Sequence, residues 1–277
     1  MSITAHGAPP TRLAQPRLTP VSARQFPLAG IQAKLHRART HLRELEQLEA
    51  QFYQSGLWAV VDTIDPAPGW HACVARISRD APLSLSVVAG EVPYQLRSSL
   101  DHLATAAARL VNSTARDVKF PIYQQRGDYE AKRRELGSRL RPEHWAIIDK
   151  HQCFDPLLVA DLEPLIVGAK FNNAEKHEVV PPRCAVLPIA GFTGVAQVDW
   201  CKPDLITDGS VLCRYLPQPG EQVRGVVSLE LAYGDLPWQV SRSGLDRLWW
   251  HTGEIVSEFH RATPEWAHTP DAFIQEG

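Results

Sequence analysis

Between Leu96 and Leu110, five apolar residues fall on one helical stripe. Leu96, Leu100, Leu103, Ala107 and Leu110 recur at threes and fours, the spacing of a helix with one buried face. The run from Ala104 to Ala108, broken only by Thr105, has side chains small enough for another helix to approach closely. This segment therefore belongs at the centre of a helical core, and the rest of the chain has to supply its neighbours. Its helix starts near Leu83, where Pro82 suits a first turn, and runs to about Val111. Gly90 and Pro93 predict a kink or an interruption within it.

Two further segments have the right pattern to pack against it. Ile31, Leu35, Ala38, Leu42, Leu45, Leu48 and Phe52 share a face upstream, and Ser55-Gly56 ends that helix. Leu245, Leu248, Trp249, Thr252, Ile255, Val256 and Phe259 share one downstream and predict a C-terminal helix over 244–262. Shorter helices are expected over 128–138 and 142–150, and Leu157 to His177 reads as mostly helical. Leu57 to Ile64 and Trp70 to Ile77 read as a hairpin around Pro66-Ala67-Pro68-Gly69. After Pro181-Pro182, short β-prone runs follow: Val186 to Ile189, Gly194 to Trp200, Val211 to Leu216 and Val223 to Tyr233. The expected class is α+β: a long-helix bundle core over 30–180, an antiparallel β-sheet over 183–240 and the C-terminal helix. These form one domain over 30–277, because the last helix needs the apolar faces of the early ones. Residues 1–29 carry five prolines, three arginines and no acidic residue, which predicts a disordered basic arm.

Composition excludes several classes. The formal net charge of the 277 residues is −2, so no global field draws nucleic acid or an anionic membrane. Any such contact needs a local patch. Arg126 to Arg141 holds six cations, but Asp128, Glu130 and Glu135 dilute them and a solvated helix face is the better reading. No stretch approaches the ~20 apolar residues of a membrane span, and no secretory h-region is visible. Five widely spaced cysteines, without a C-x-x-C pair, suit a reducing cytoplasm. No Gly-rich phosphate loop or H-E-x-x-H motif is present, so neither a metal nor another cofactor is expected. Trp249-Trp250-His251 reads as core packing by Trp249, with Trp250 at a domain contact.

Two polar clusters interrupt otherwise apolar stretches: Leu96-Arg97-Ser98-Ser99-Leu100-Asp101-His102 and Asn172-Asn173-Ala174-Glu175-Lys176-His177. Buried polar groups cost free energy unless they are paired. On a helix Arg97 and Asp101 can touch, while His102 points about 140° away from Arg97. Glu91 and Tyr94 fall on a similar side if the helix is continuous. Asn173, Lys176 and His177 share a face, so Asp101 can accept from Lys176 or His177 and Arg97 can pair with Glu175. Such contacts serve either a network that fixes helix register or a site.

Arg97 to His102 matches R-x4-H, the compact signature that resembles HEPN-type ribonucleases. That resemblance implies a helical, often dimeric, metal-independent RNase with RNA as partner. Arg97 and His102 would be its catalytic pair, and Ser98 the polar residue after the arginine. A wider resemblance runs through Gly90-Glu91, Leu96-Arg97, Leu100-Asp101-His102, Phe120-Pro121-Ile122 and Asn173-Ala174-Glu175-Lys176-His177. It is similar to a family of uncharacterised bacterial proteins and bears on the fold rather than on chemistry. Histidine exchanges a proton near neutral pH and arginine holds a phosphate bidentately. RNA supplies its own 2′-hydroxyl nucleophile, so such a pair would need little else. Two functions stay open. One is this endoribonuclease, with Glu91, Asp101, Asn173, Glu175, Lys176 and His177 binding or orienting. The other is a non-enzymatic binding or regulatory protein whose clusters are structural or hold a small anion.

Overall fold

The computed structural model describes residues 28–152, 154, 165–166, 168–170, 182–187, 192–201, 206–225, 227–234 and 239–268. Two long helices dominate. α1 spans Ala29–Gln54 and buries Ile31, Leu35, Ala38, Leu42, Leu45 and Phe52. Leu28 is buried and Ala29 already helical, so the last two residues of the expected basic arm belong to the fold; the rest of the arm lies outside the described residues. Gly56 follows α1 at φ 67°, the left-handed conformation that closes a helix and favours glycine.

α2 spans Leu83–Val111 without interruption, although Pro93 lies inside it. The interruption expected as one outcome at Gly90 and Pro93 is absent. Both residues are buried, in line with Ala89, Val92 and Leu96, so packing against α1 outweighs the lost backbone hydrogen bond. The small residues Ala104, Ala107 and Ala108 are buried on the same helix.

β1 (Trp58–Ile64) and β2 (His71–Ile77) form the expected hairpin. The shorter helices are α3 (Arg126–Leu136) and α4 (Pro142–Lys150). Then come β3 (Arg183–Leu187), β4 (Val195–Trp200), β5 (Val211–Pro217), β6 (Ser228–Tyr233) and β7 (Val240–Ser241). α5 spans Arg242–Ala262. The class is α+β, with one difference in its β part. The strands sort into two antiparallel sheets, β1-β2-β5-β4 and β3-β6-β7. The hairpin pairs with β5.

α5 packs on both long helices. Trp249 donates its Nε1–H to the carbonyl of Leu35 at 3.0 Å, and Arg39 lies 4.9 Å over its ring and 2.7 Å from Asp246. Trp249 is buried as expected; Trp250 is 50% exposed. Two of the arginines of 126–141 are held in ion pairs: Arg133 with Asp149 at 3.0 Å and Arg141 with Glu265 at 2.6 Å. Among the described residues, no helix is long and apolar enough to cross a membrane.

Two buried histidines give the fold a pH dependence. His144 stacks between Phe259 and Trp266. Thr263 Oγ1 donates to the Phe259 carbonyl at 2.7 Å, so His144 Nε2–H is the donor in its 3.0 Å contact with Thr263. His144 Nδ1 then keeps a bare lone pair, with no partner among the described residues. His151 lies between His251 at 3.2 Å and Glu258 at 3.3 Å. Burial depresses the pKa of both, with Glu143 or Glu258 opposing it. A depressed folded pKa means that the unfolded chain takes the proton first. Stability is therefore complete above about pH 6.5, the unfolded value, and falls as the pH drops towards the folded values. Thermal melts from pH 7.5 to 5.5 should show Tm falling, with a shallower slope in His144→Leu. An unchanged slope would remove His144 from this role.

Candidate functional site

The segment after α2 doubles back along it. Phe120 precedes Pro121 and is therefore biased to extended backbone. Val118 and Phe120 are buried and Lys119 is exposed, the alternation of an extended chain. This segment belongs to no sheet, so its backbone groups need other partners. α2 supplies them from one stripe. Arg109 Nε donates to the carbonyl of Ala115 at 3.1 Å. Thr105 Oγ1 donates to that of Val118 at 3.1 Å, and Arg97 Nη2 to that of Phe120 at 2.8 Å. Asp101 Oδ1 accepts the Phe120 amide at 2.9 Å and Asp101 Oδ2 faces Lys119 at 3.3 Å.

The spacing explains the register. Positions 97, 101, 105 and 109 are successive i+4 neighbours, spanning about 18 Å of helix. Val118 to Phe120, extended, covers about 7 Å, close to the roughly 6 Å of helix between positions 105 and 101. Arg97 also pairs with Asp101 at 2.9 Å, as the i,i+4 spacing predicts. Arg97 and Asp101 are thus first of all the clamp that holds Phe120, which in turn packs against Phe259. Arg97 Nη2 carries both of these contacts; among the described residues, its Nε and Nη1 carry no hydrogen bond.

Two cavities that share lining residues lie between α2 and this returning segment. A cleft of about 270 Å³ is lined by Tyr94, Arg97, Ser98, Asp101, His102, Thr105, Asp117, Val118 and Lys119. A wider groove of about 1160 Å³ runs past Arg109, Arg116, Ser113, Thr114 and Trp266. His102, Thr105 and Asp117 line both. Asp117 stands at φ 54°, the one non-glycine residue with positive φ among those described. Aspartate tolerates this left-handed conformation better than most residues. The turn there lets the loop leave α2 at Ala115 and rejoin it at Val118.

Four cations, Arg97, Arg109, Arg116 and Lys119, line the cavities against two carboxylates, Asp101 and Asp117. Exposed His102 lines both cavities. Partial burial depresses its pKa; Lys34, Arg109 and Lys119 push the same way while Asp101 opposes them. The ring is therefore held neutral in a cationic setting, which suits a proton acceptor or a neighbour for an anion.

Of the residues singled out in the sequence, Arg97, Asp101 and His102 come together in one cleft, beside Ser98. Glu91 is exposed on the same helix but lines neither cavity. Asn173, Glu175, Lys176 and His177 lie outside the described residues. The described partners of Asp101 are Arg97, Lys119 and the Phe120 amide. Thr105, Arg109, Arg116, Asp117 and Lys119 were not anticipated. The i+4 continuation from Arg97 and Asp101 to Thr105 and Arg109 was the available signal for two of them. Among the described residues, no group of three or more His, Cys, Asp or Glu is placed to hold a metal ion. No protein-family model, curated protein or solved structure matches the chain.

Proposed function

We propose that the α2 groove binds a phosphate-bearing ligand and that the protein acts through that binding. The observation that carries this reading is the four-to-two excess of cationic over acidic linings around accessible His102. Arginine side chains recognise phosphate oxygens through paired N–H donors. Arg116 is exposed, and Arg109 spends only Nε on Ala115, so both have donors to offer. A groove of about 1160 Å³ exceeds the usual range for a compact small-molecule site and suits an extended ligand such as a single RNA strand. Bound phosphate would offset the cationic surroundings of His102, so affinity should rise as the pH falls and the imidazole gains its proton.

A second reading is the metal-independent endoribonuclease, favoured by one observation. Arg97 and His102 line the same cleft, although their helix positions differ by about 140°. Neutral His102 would take the 2′-hydroxyl proton as that oxygen attacks the phosphorus and the 5′-oxygen leaves. The remaining donors of Arg97 would stabilise the charge developing on the phosphoryl oxygens.

A labelled RNA pool incubated with the purified chain, with and without EDTA, tests both readings by anisotropy and by gel. Retention without cleavage, weakened several-fold in Arg109→Ala with Arg116→Ala, supports the binding reading. EDTA-resistant cleavage lost in His102→Ala supports the ribonuclease. Neither retention nor cleavage by the folded wild type overturns both.

A further inference from the structure

The four-stranded sheet holds a second chemical feature, unconnected to the α2 groove. Cys73 on β2 and Cys213 on β5 are direct cross-strand partners. Both are buried, Cys213 completely, and both are free thiols. Each thiol lies close enough to perturb the other electrostatically. The register of this seam shifts immediately after Cys73. We propose that Cys73 and Cys213 form a reversible oxidation site that closes to a cross-strand disulfide under hydroperoxide.

Geometry is the main support. Directly opposed residues of an antiparallel pair have Cα atoms about 4.5–5.5 Å apart, inside the roughly 4.4–6.8 Å window of a disulfide. Their Cβ atoms, at about 4.5–5.5 Å, stand slightly wider than the ~3.8 Å that a relaxed bridge prefers. Closure therefore draws the strands together and leaves a bond that reductants reopen readily. Cys201 is half-buried at the end of β4, where its amide donates to Leu212 at 2.9 Å. Its neighbour Trp200, rather than Cys201, is the partner of Cys213 across the strands.

The chemistry balances with a hydroperoxide as oxidant. Cys73, the less buried of the pair, attacks the peroxide oxygen to give a sulfenic acid and releases one water. Cys213 Sγ then attacks the Cys73 sulfur, the S–S bond forms and a second water leaves. Two thiols are oxidised by two electrons and one peroxide is reduced. The setting keeps the reaction slow: burial, with Asp62 facing Cys73 across β1, raises the Cys73 thiol, and Cys213 is pushed up to about 12 by burial and its neighbour. Thiolate is the attacking species, so the pair responds to sustained peroxide rather than to trace oxidant. His71, stacked on Tyr215 at 5.3 Å and 3.3 Å from Asp62, flanks the thiols on the same strands.

The test is a non-reducing peptide map of the intact chain after millimolar hydrogen peroxide and alkylation. The expected result is a linked Cys73–Cys213 peptide pair, lighter by two hydrogens and reopened by reduced glutathione. The link should be lost in Cys73→Ser and kept in Cys201→Ser. If Cys73→Ser does not fold, the wild-type map with the Cys201→Ser control decides alone. Cys73 and Cys213 both recovered alkylated after denaturation, or oxidation confined to Cys201, overturns the proposal.

Discussion

Asp101→Ala should destabilise the protein by about 2–3 kcal/mol, and His102→Ala, one residue on, by no more than about 0.5 kcal/mol. The contrast follows from their partners. The Asp101 carboxylate, 16% exposed, receives the Phe120 amide and the Arg97 guanidinium. Removing it leaves a part-buried N–H without an acceptor and a part-buried cation without its counter-charge. His102 is exposed on the same helix and makes no hydrogen bond or ion pair among the described residues. Urea titrations measure both effects. A cycle through Arg97→Ala separates the ion pair from the amide bond: in an Arg97→Ala background, Asp101→Ala should still cost the amide contact and lose only the coupling. Equal losses for Asp101→Ala and His102→Ala would mean that the returning segment is held by packing of Phe120 alone.

This clamp shows where the sequence was legible and where it was not. The Arg97–Asp101 pair could be read directly, because i,i+4 contacts are set by helix geometry alone. That the pair holds Phe120 could not, since a backbone N–H or carbonyl leaves no mark in the residue code. Pro121 biases Phe120 to extended backbone, but nothing local says which helix the segment lies along. The stripes of α1, α2 and α5 were legible for the same reason as the ion pair: they repeat at the helical period. The helix runs on through Gly90 and Pro93 because the local penalty is outweighed by the burial of Ala89, Val92 and Leu96 around them. The hairpin strands, β4 and β5 were located closely, whereas β3 begins three residues before the expected run, β6 five residues after the start of its run, and β7 was not anticipated. The division into two sheets depends on pairings such as Cys73 with Cys213, far apart in the chain. His102 was legible as a candidate; its cationic surroundings, from Lys34, Arg109 and Lys119, come from three separate places on the fold.

The second large effect is expected at the junction of α1, β6 and α5. Glu49 is buried there, accepting the Tyr233 hydroxyl at 2.7 Å and Arg242 Nε at 3.0 Å. Burial raises its pKa even though Tyr233 and Arg242 stabilise the ionised form. Arg242→Ala should therefore cost about 2–3 kcal/mol at pH 8, below the full value for a buried pair because the arginine is 35% exposed. The loss should shrink as the pH falls, and the sign can be worked out. Without Arg242 the folded pKa of Glu49 rises further above its unfolded value of 4.5. As the pH rises from about 4.5, the unfolded chain releases this proton before the folded one does, so stability falls through that window and stays low above it. At pH 5 the variant should recover most of its stability by keeping Glu49 neutral. Adding Glu49→Gln should flatten the pH dependence at once. Denaturant melts at pH 5, 6.5 and 8 test this against simple loss of packing by the arginine stem, which would give the same deficit at every pH. Arg242 also reaches Asp246 at 3.2 Å and Glu46 at 3.8 Å, but both are more exposed than Glu49. The pH profile should therefore belong chiefly to Glu49, with a smaller share from Glu230 on β6, whose pKa is raised by burial and by Glu49 and lowered by Arg242.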